Sequence, residues 1–147
     1  MRGGELSTEV IDADIAFWGT IGIRIPPNST WDTGLKFVTA IPGTRSFALT
    51  THQHHLGTRM RVWHANDPND TASELIADSS NWEDPPLEIY DPPLAFGGSG
   101  KAGLAYKCEW QNPTQNQVTW GVSIKDEMCF LWHYYYPANG FNYIVQP

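Results

Sequence analysis

Basic charge is scarce in this sequence. Nine Lys and Arg stand against sixteen Asp and Glu, for a net charge of −7, and the nine form no cluster. Phosphate neutralisation needs a basic face, so no nucleic-acid partner is expected. The acidic balance predicts a well-solvated surface and says nothing about a substrate. Long apolar runs are missing too: no stretch approaches the roughly 18 consecutive apolar residues of a membrane-spanning helix. The opening Met1-Arg2-Gly3-Gly4-Glu5 lacks the charged head, apolar run and cleavage site of a secretory signal. Either a leader has been lost or the chain is cut from something longer. Cysteine is limited to Cys108 and Cys129, which permit one intramolecular bridge and are equally ordinary as two free thiols. Helical periodicity is absent as well. No window repeats apolar residues at i, i+3, i+4, i+7, and thirteen Gly and eleven Pro interrupt the chain every few residues.

Aromatic side chains are abundant instead. Seven Trp, six Tyr and six Phe, with 41% hydrophobic and 17% charged residues, make the chain too apolar for disorder. At 147 residues a single domain over 1–147 is expected, with residues 1–13 as a tail or the end of a preceding linker. A core of that size folds without metal or disulfide. Short β-branched and aromatic runs bounded by turn residues occupy Asp14–Ile25, Leu35–Ala40, Arg45–His54, Arg59–Ala65, Ser73–Ala77, Gly103–Trp110, Gln117–Ser123 and Glu127–Tyr136. About eight strands at this spacing predict an all-β, antiparallel sandwich or barrel. Asp78–Phe96, with four prolines and little alternation, reads as a structured loop crossing one end.

Two segments carry chemistry. The first is Thr50-Thr51-His52-Gln53-His54-His55-Leu56-Gly57. Side chains alternate along a strand, so His52 and His54 share a face while Gln53 and His55 take the other. Two imidazoles one pleat apart can pinch one metal ion, and Leu56-Gly57-Thr58 reads as a turn that keeps the pair near solvent. A bare His-X-His also occurs as two surface histidines. The second is Asp126-Glu127-Met128-Cys129-Phe130-Leu131-Trp132-His133, an aromatic core strand with an acidic entry. Alternation puts Met128, Phe130 and Trp132 on one face and Cys129, Leu131 and His133 on the other. Met128 by itself reads as plain core filling. A bridge from Cys129 to Cys108 would close a loop of about twenty residues and contribute roughly 3 kcal/mol.

Taken in order, four blocks resemble one family: His52-Gln53-His54-His55-Leu56-Gly57; Cys108-Glu109-Trp110-Gln111-Asn112-Pro113-Thr114; Trp120-Gly121 with Asp126-Glu127-Met128-Cys129; and His133-Tyr134-Tyr135-Tyr136-Pro137. The family is the copper type II, ascorbate-dependent monooxygenases, in their C-terminal domain. It includes peptidylglycine α-hydroxylating and dopamine β-monooxygenases. Pro92-Pro93-Leu94 resembles a segment of the bacterial relatives, and Ile25-Pro26-Pro27-Asn28 resembles a turn upstream of the histidine strand. The resemblance implies a jelly-roll β-sandwich of about eight strands. It implies one copper ion held by His52, His54 and Met128, a Cys108–Cys129 disulfide, and a secreted, periplasmic or otherwise oxidising compartment. Its reaction uses dioxygen to hydroxylate a C–H bond of an organic substrate. The donor set agrees, because imidazole suits both copper oxidation states and a thioether favours Cu(I) over zinc.

The sequence also departs from the family. Its hydroxylases carry a second copper in an N-terminal, histidine-based domain that supplies an electron. Here only His55, His64 and His133 remain after the pair, so turnover would need a partner domain or an external reductant. His55 faces away from the pair and reads as structural. Peptide-amidating members place an Arg two residues before the first ligand histidine and a Tyr four after the Met. Here these positions hold Thr50 and Trp132, which cannot clamp a carboxylate. Amidation is therefore disfavoured; an apolar or aromatic substrate suits Phe130 and Trp132 better, and both equally read as core residues. Two further functions fit the same residues: a copper-binding or storage module without catalysis, and a metal-free jelly-roll recognition module.

Overall fold

The computed structural model describes residues 10–70 and 74–147. Among them are twelve strands and no helix: β1 Asp14–Thr20, β2 Arg24–Ile25, β3 Ser29–Asp32, β4 Lys36–Thr39, β5 Arg45–His52, β6 Gly57–Ala65, β7 Leu75–Ser79, β8 Glu88–Ala95, β9 Gly103–Asn112, β10 Val118–Thr119, β11 Cys129–Tyr136 and β12 Asn142–Gln146. One sheet runs β12-β1-β11-β5-β8. The other runs β3-β9-β6-β7, with β4 also paired to β9, and β10-β2 forms a short ribbon. Every pairing is antiparallel except β1 with β12.

The period-2 pattern explains how the sheets face each other. In β11, Cys129, Leu131, His133 and Tyr135 are buried and Trp132, Tyr134 and Tyr136 only partly so; Phe130, on the opposite face, is buried as well, beneath Phe17. Ala16, Trp18, Leu49 and Leu131 from one sheet meet Met60, Val62, Leu104 and Tyr106 from the other in one buried cluster. Each large side chain so removed from water contributes about 1.5–3 kcal/mol. The disulfide Cys108–Cys129 joins β9 to β11, and hence one sheet to the other, with its Cα atoms 6.0 Å apart. The molecule is an all-β sandwich, as the sequence predicts.

Several boundaries differ from the sequence reading. The expected strand Asp14–Ile25 breaks after Thr20, where Ile23 N–H turns back on the Ile21 carbonyl at 2.8 Å, and β2 leaves for its own ribbon. The loop expected over Asp78–Phe96 contains β8. Its prolines are tolerated because β8 is an edge strand, where a missing N–H costs no ladder bond. Pro92 and Pro93 fall in the register gap between the Ala48↔Ile89 and Ser46↔Leu94 pairs. Strands β3 and β12 were not anticipated, so twelve strands replace about eight. Ser73, expected to open a strand, lies outside the described residues, as do residues 1–9 of the expected tail.

Candidate metal centre

Strand β5 ends on His52, and the chain turns at once: Gly57 N–H donates to the His54 carbonyl at 2.9 Å. The turn therefore begins earlier than Leu56-Gly57-Thr58, and His54 belongs to it rather than to the strand. Gln53 and Gly57 pack tightly within it. Gln53 is buried and its Nε2 donates to the Glu109 carbonyl of β9 at 3.0 Å. A Cβ at Gly57 would lie 2.7 Å from Gln53 Cβ, so this position requires glycine.

The His52 and His54 rings nevertheless come together, with centroids 5.3 Å apart and planes at 88°. His54 Nδ1 lies 2.8 Å from the Asp126 carbonyl oxygen. A carbonyl only accepts, so Nδ1 carries the hydrogen and Nε2 of the neutral ring keeps its lone pair. The pKa of His52 is held below its ordinary value, first by burial and then by the neighbouring His54, which favours the neutral, lone-pair-bearing ring.

Met128 enters through the pleat of the adjacent strand. Phe130 of β11 pairs directly with His52 of β5. Two residues before Phe130, Met128 sits between Glu127 and Cys129. Both of those reach inward to β9: Cys129 bonds Cys108, and the Glu127 carboxylate accepts from Trp110 Nε1 at 2.7 Å. Alternation then assigns Met128, which is half-buried, to the outer face shared by Phe130 and His52. Met128 thus lies one residue before β11, the strand paired with the end of β5 that carries His52.

The remaining histidines stay apart from this group. His55 is half-exposed, edge-on to Trp82, with Nδ1 3.9 Å from Glu127 Oε2. His64 bonds Glu74 Oε1 at 2.6 Å and the Ala95 carbonyl at 2.8 Å. His133 is a core residue packed edge-on against Trp18. Among the described residues, no three His, Cys, Asp or Glu side chains converge as a metal site. Thr50 and Trp132 prove to be cross-strand partners, one pleat from the His52–Phe130 pair. Trp132 packs on Phe17 at 4.2 Å, and Phe17 stacks flat on Phe130 at 4.4 Å and on Tyr143 at 5.5 Å. The residues described beside His52 on this face are therefore aromatic apart from Thr50, with no Arg among them.

The family model for the copper type II ascorbate-dependent monooxygenase C-terminal domain matches residues 12–146. The chain belongs to this family. No individual curated protein matched it. For a C-terminal domain of a copper monooxygenase, the residues that sequence reasoning undervalued are Asp126, Glu127 and Trp110. Asp126 and Glu127 passed as an acidic strand entry. The available signal was the alternation itself, which places a lone carboxylate at 127 on the same inward face as Cys129.

Proposed function

We propose that this chain is the dioxygen-using copper domain of a monooxygenase that hydroxylates a C–H bond, with one copper ion held by His52, His54 and Met128. The observation that carries the reading is the His54 ring, fixed through Nδ1 to the Asp126 carbonyl beside the His52 ring. Metal-bound histidines characteristically donate their other ring N–H to such an acceptor, which sets tautomer and orientation. The donor set fits copper: two imidazoles serve both oxidation states, and a thioether favours Cu(I). When bound, copper would supply one electron and an open position for dioxygen. The chain's own residues would orient the ligands, and the partly exposed Phe17 and Trp132 beside them would receive an apolar part of the substrate. Ascorbate or a partner domain would deliver the second electron. The disulfide fits an oxidising compartment.

Anaerobic Cu(I) titration followed by oxidation and electron paramagnetic resonance tests this. One copper per chain with a type II signal is expected in the native protein. That stoichiometry should be lost in His52→Ala and His54→Ala, and Cu(I) affinity should fall in Met128→Ala. Unchanged copper binding in all three variants would leave a β-sandwich without this centre. Stable copper binding with no ascorbate- and oxygen-dependent product from any C–H substrate would instead favour a storage module.

A further inference from the structure

Glu127 is fully buried, and nothing in the chemistry above uses its side chain. Its Oε1 accepts from the His54 backbone N–H at 3.0 Å and from Trp110 Nε1–H at 2.7 Å; its Oε2 accepts from the Leu56 N–H at 2.9 Å. All three partners are donors, an arrangement that suits two carboxylate oxygens and not an amide with an NH2 of its own. The backbone of Glu127 is pinned as well. Its N–H donates to the Thr119 carbonyl at 3.0 Å, and its carbonyl accepts from Gly121 N–H at 3.2 Å.

Burying a carboxylate is costly unless it is fully hydrogen-bonded, as this one is by three N–H donors. The location is informative. Glu127 immediately precedes Met128, and one of its three bonds goes to the amide of His54 itself. Together with the Asp126 carbonyl on the His54 ring, it fastens both backbone and side chain of that histidine to the segment that carries the sulfur. On β9, Cys108 and Trp110 lie two residues apart and grip Cys129 and Glu127, so Met128 is flanked by two tethers to the opposite sheet.

We propose that Glu127 is a positioning residue of the copper centre: its carboxylate locks the 54–56 backbone against the Met128 segment, so that the two imidazoles and the thioether are held in place before metal arrives. This rests on the copper reading above. The test uses Glu127→Gln in the whole chain. In the metal-free protein, residue-resolved amide hydrogen exchange should quicken at least about tenfold at His54 and Leu56 and stay unchanged at Leu131. Cu(I) affinity, measured by competition with a chromogenic chelator, should fall about 10–100-fold, and the Cu(II) paramagnetic resonance parameters should shift. If Glu127→Gln does not fold, Trp110→Phe keeps the charge and removes one donor. It should move the same spectrum in the same direction, and an unchanged spectrum and affinity there overturn the proposal. Native exchange rates, affinity and spectrum in folded Glu127→Gln, beside lost copper in His54→Ala, overturn the positioning role alone. Retained copper affinity in His54→Ala sinks the copper reading, and this role with it.

Discussion

Acid should weaken the fold through His133, and the size of the effect can be worked out. The ring is buried among Trp18, Phe96 and Tyr135. Nδ1 meets Ser46 Oγ at 3.2 Å, and Nε2 has no hydrogen-bond partner. Burial pushes its pKa down from 6.5 to about 3. The unfolded chain takes up this proton near pH 6.5 and the folded chain only near pH 3, so between those limits the unfolded state binds more protons. Stability present above pH 6.5 is lost as the pH falls, at about 1.4 kcal/mol per pH unit, which gives about 2 kcal/mol at pH 5. His133→Phe keeps a flat ring and removes the titration. Urea unfolding of both metal-free proteins at pH 7, 6 and 5 isolates the term as a difference, because every other group titrates alike in the two. The variant should gain about 2 kcal/mol on the native chain between pH 7 and pH 5. A gap that stays constant over that range would refute the claim that burial keeps this ring neutral.

The disulfide closes 21 residues, so Cys108→Ala with Cys129→Ala should cost about 3 kcal/mol and lower the thermal midpoint by about 6–12 °C; a fall under about 2 °C would deny it that role. At Gly19 an added Cβ would lie 2.2 Å from the Cys129 carbonyl oxygen and 2.3 Å from Phe130 Cδ1. Gly19→Ala must therefore push β11 aside next to Met128, costing about 1–3 kcal/mol and weakening Cu(I) binding along with it. A variant with native melting and native copper affinity would show that the strand can absorb the methyl group.

Legibility in the sequence followed the strength of local signals. The alternating burial of much of β11 was readable because the pleat fixes which side chains face the core. Strand β8 was not, since its prolines mimic a loop and only its place at a sheet edge makes them harmless. Strand β12 is a five-residue run beyond Pro137 and Gly140, and it exists because β1 offers it a parallel partner more than 120 residues away. At the site, the His-X-His pair and Met128 could be singled out by residue type. The pairing of Phe130 with His52, which sets the two segments side by side, is encoded in no local pattern. Glu127 was hidden for the same reason, because its three donors come from residues 54, 56 and 110.

That register also bears on how the centre is used. The proposed donors come from segments more than 70 residues apart, and something must bring them together. In small metal-dependent domains the ion does this, so that its binding free energy is spent on folding. Here the β5–β11 ladder, the inter-sheet disulfide and the Glu127 bonds align the segments through contacts that involve no metal, over a core large enough to fold by itself. The proposed ligands would then be preorganised by the scaffold rather than gathered by the ion. A copper ion bound as proposed could then change oxidation state without dismantling the scaffold.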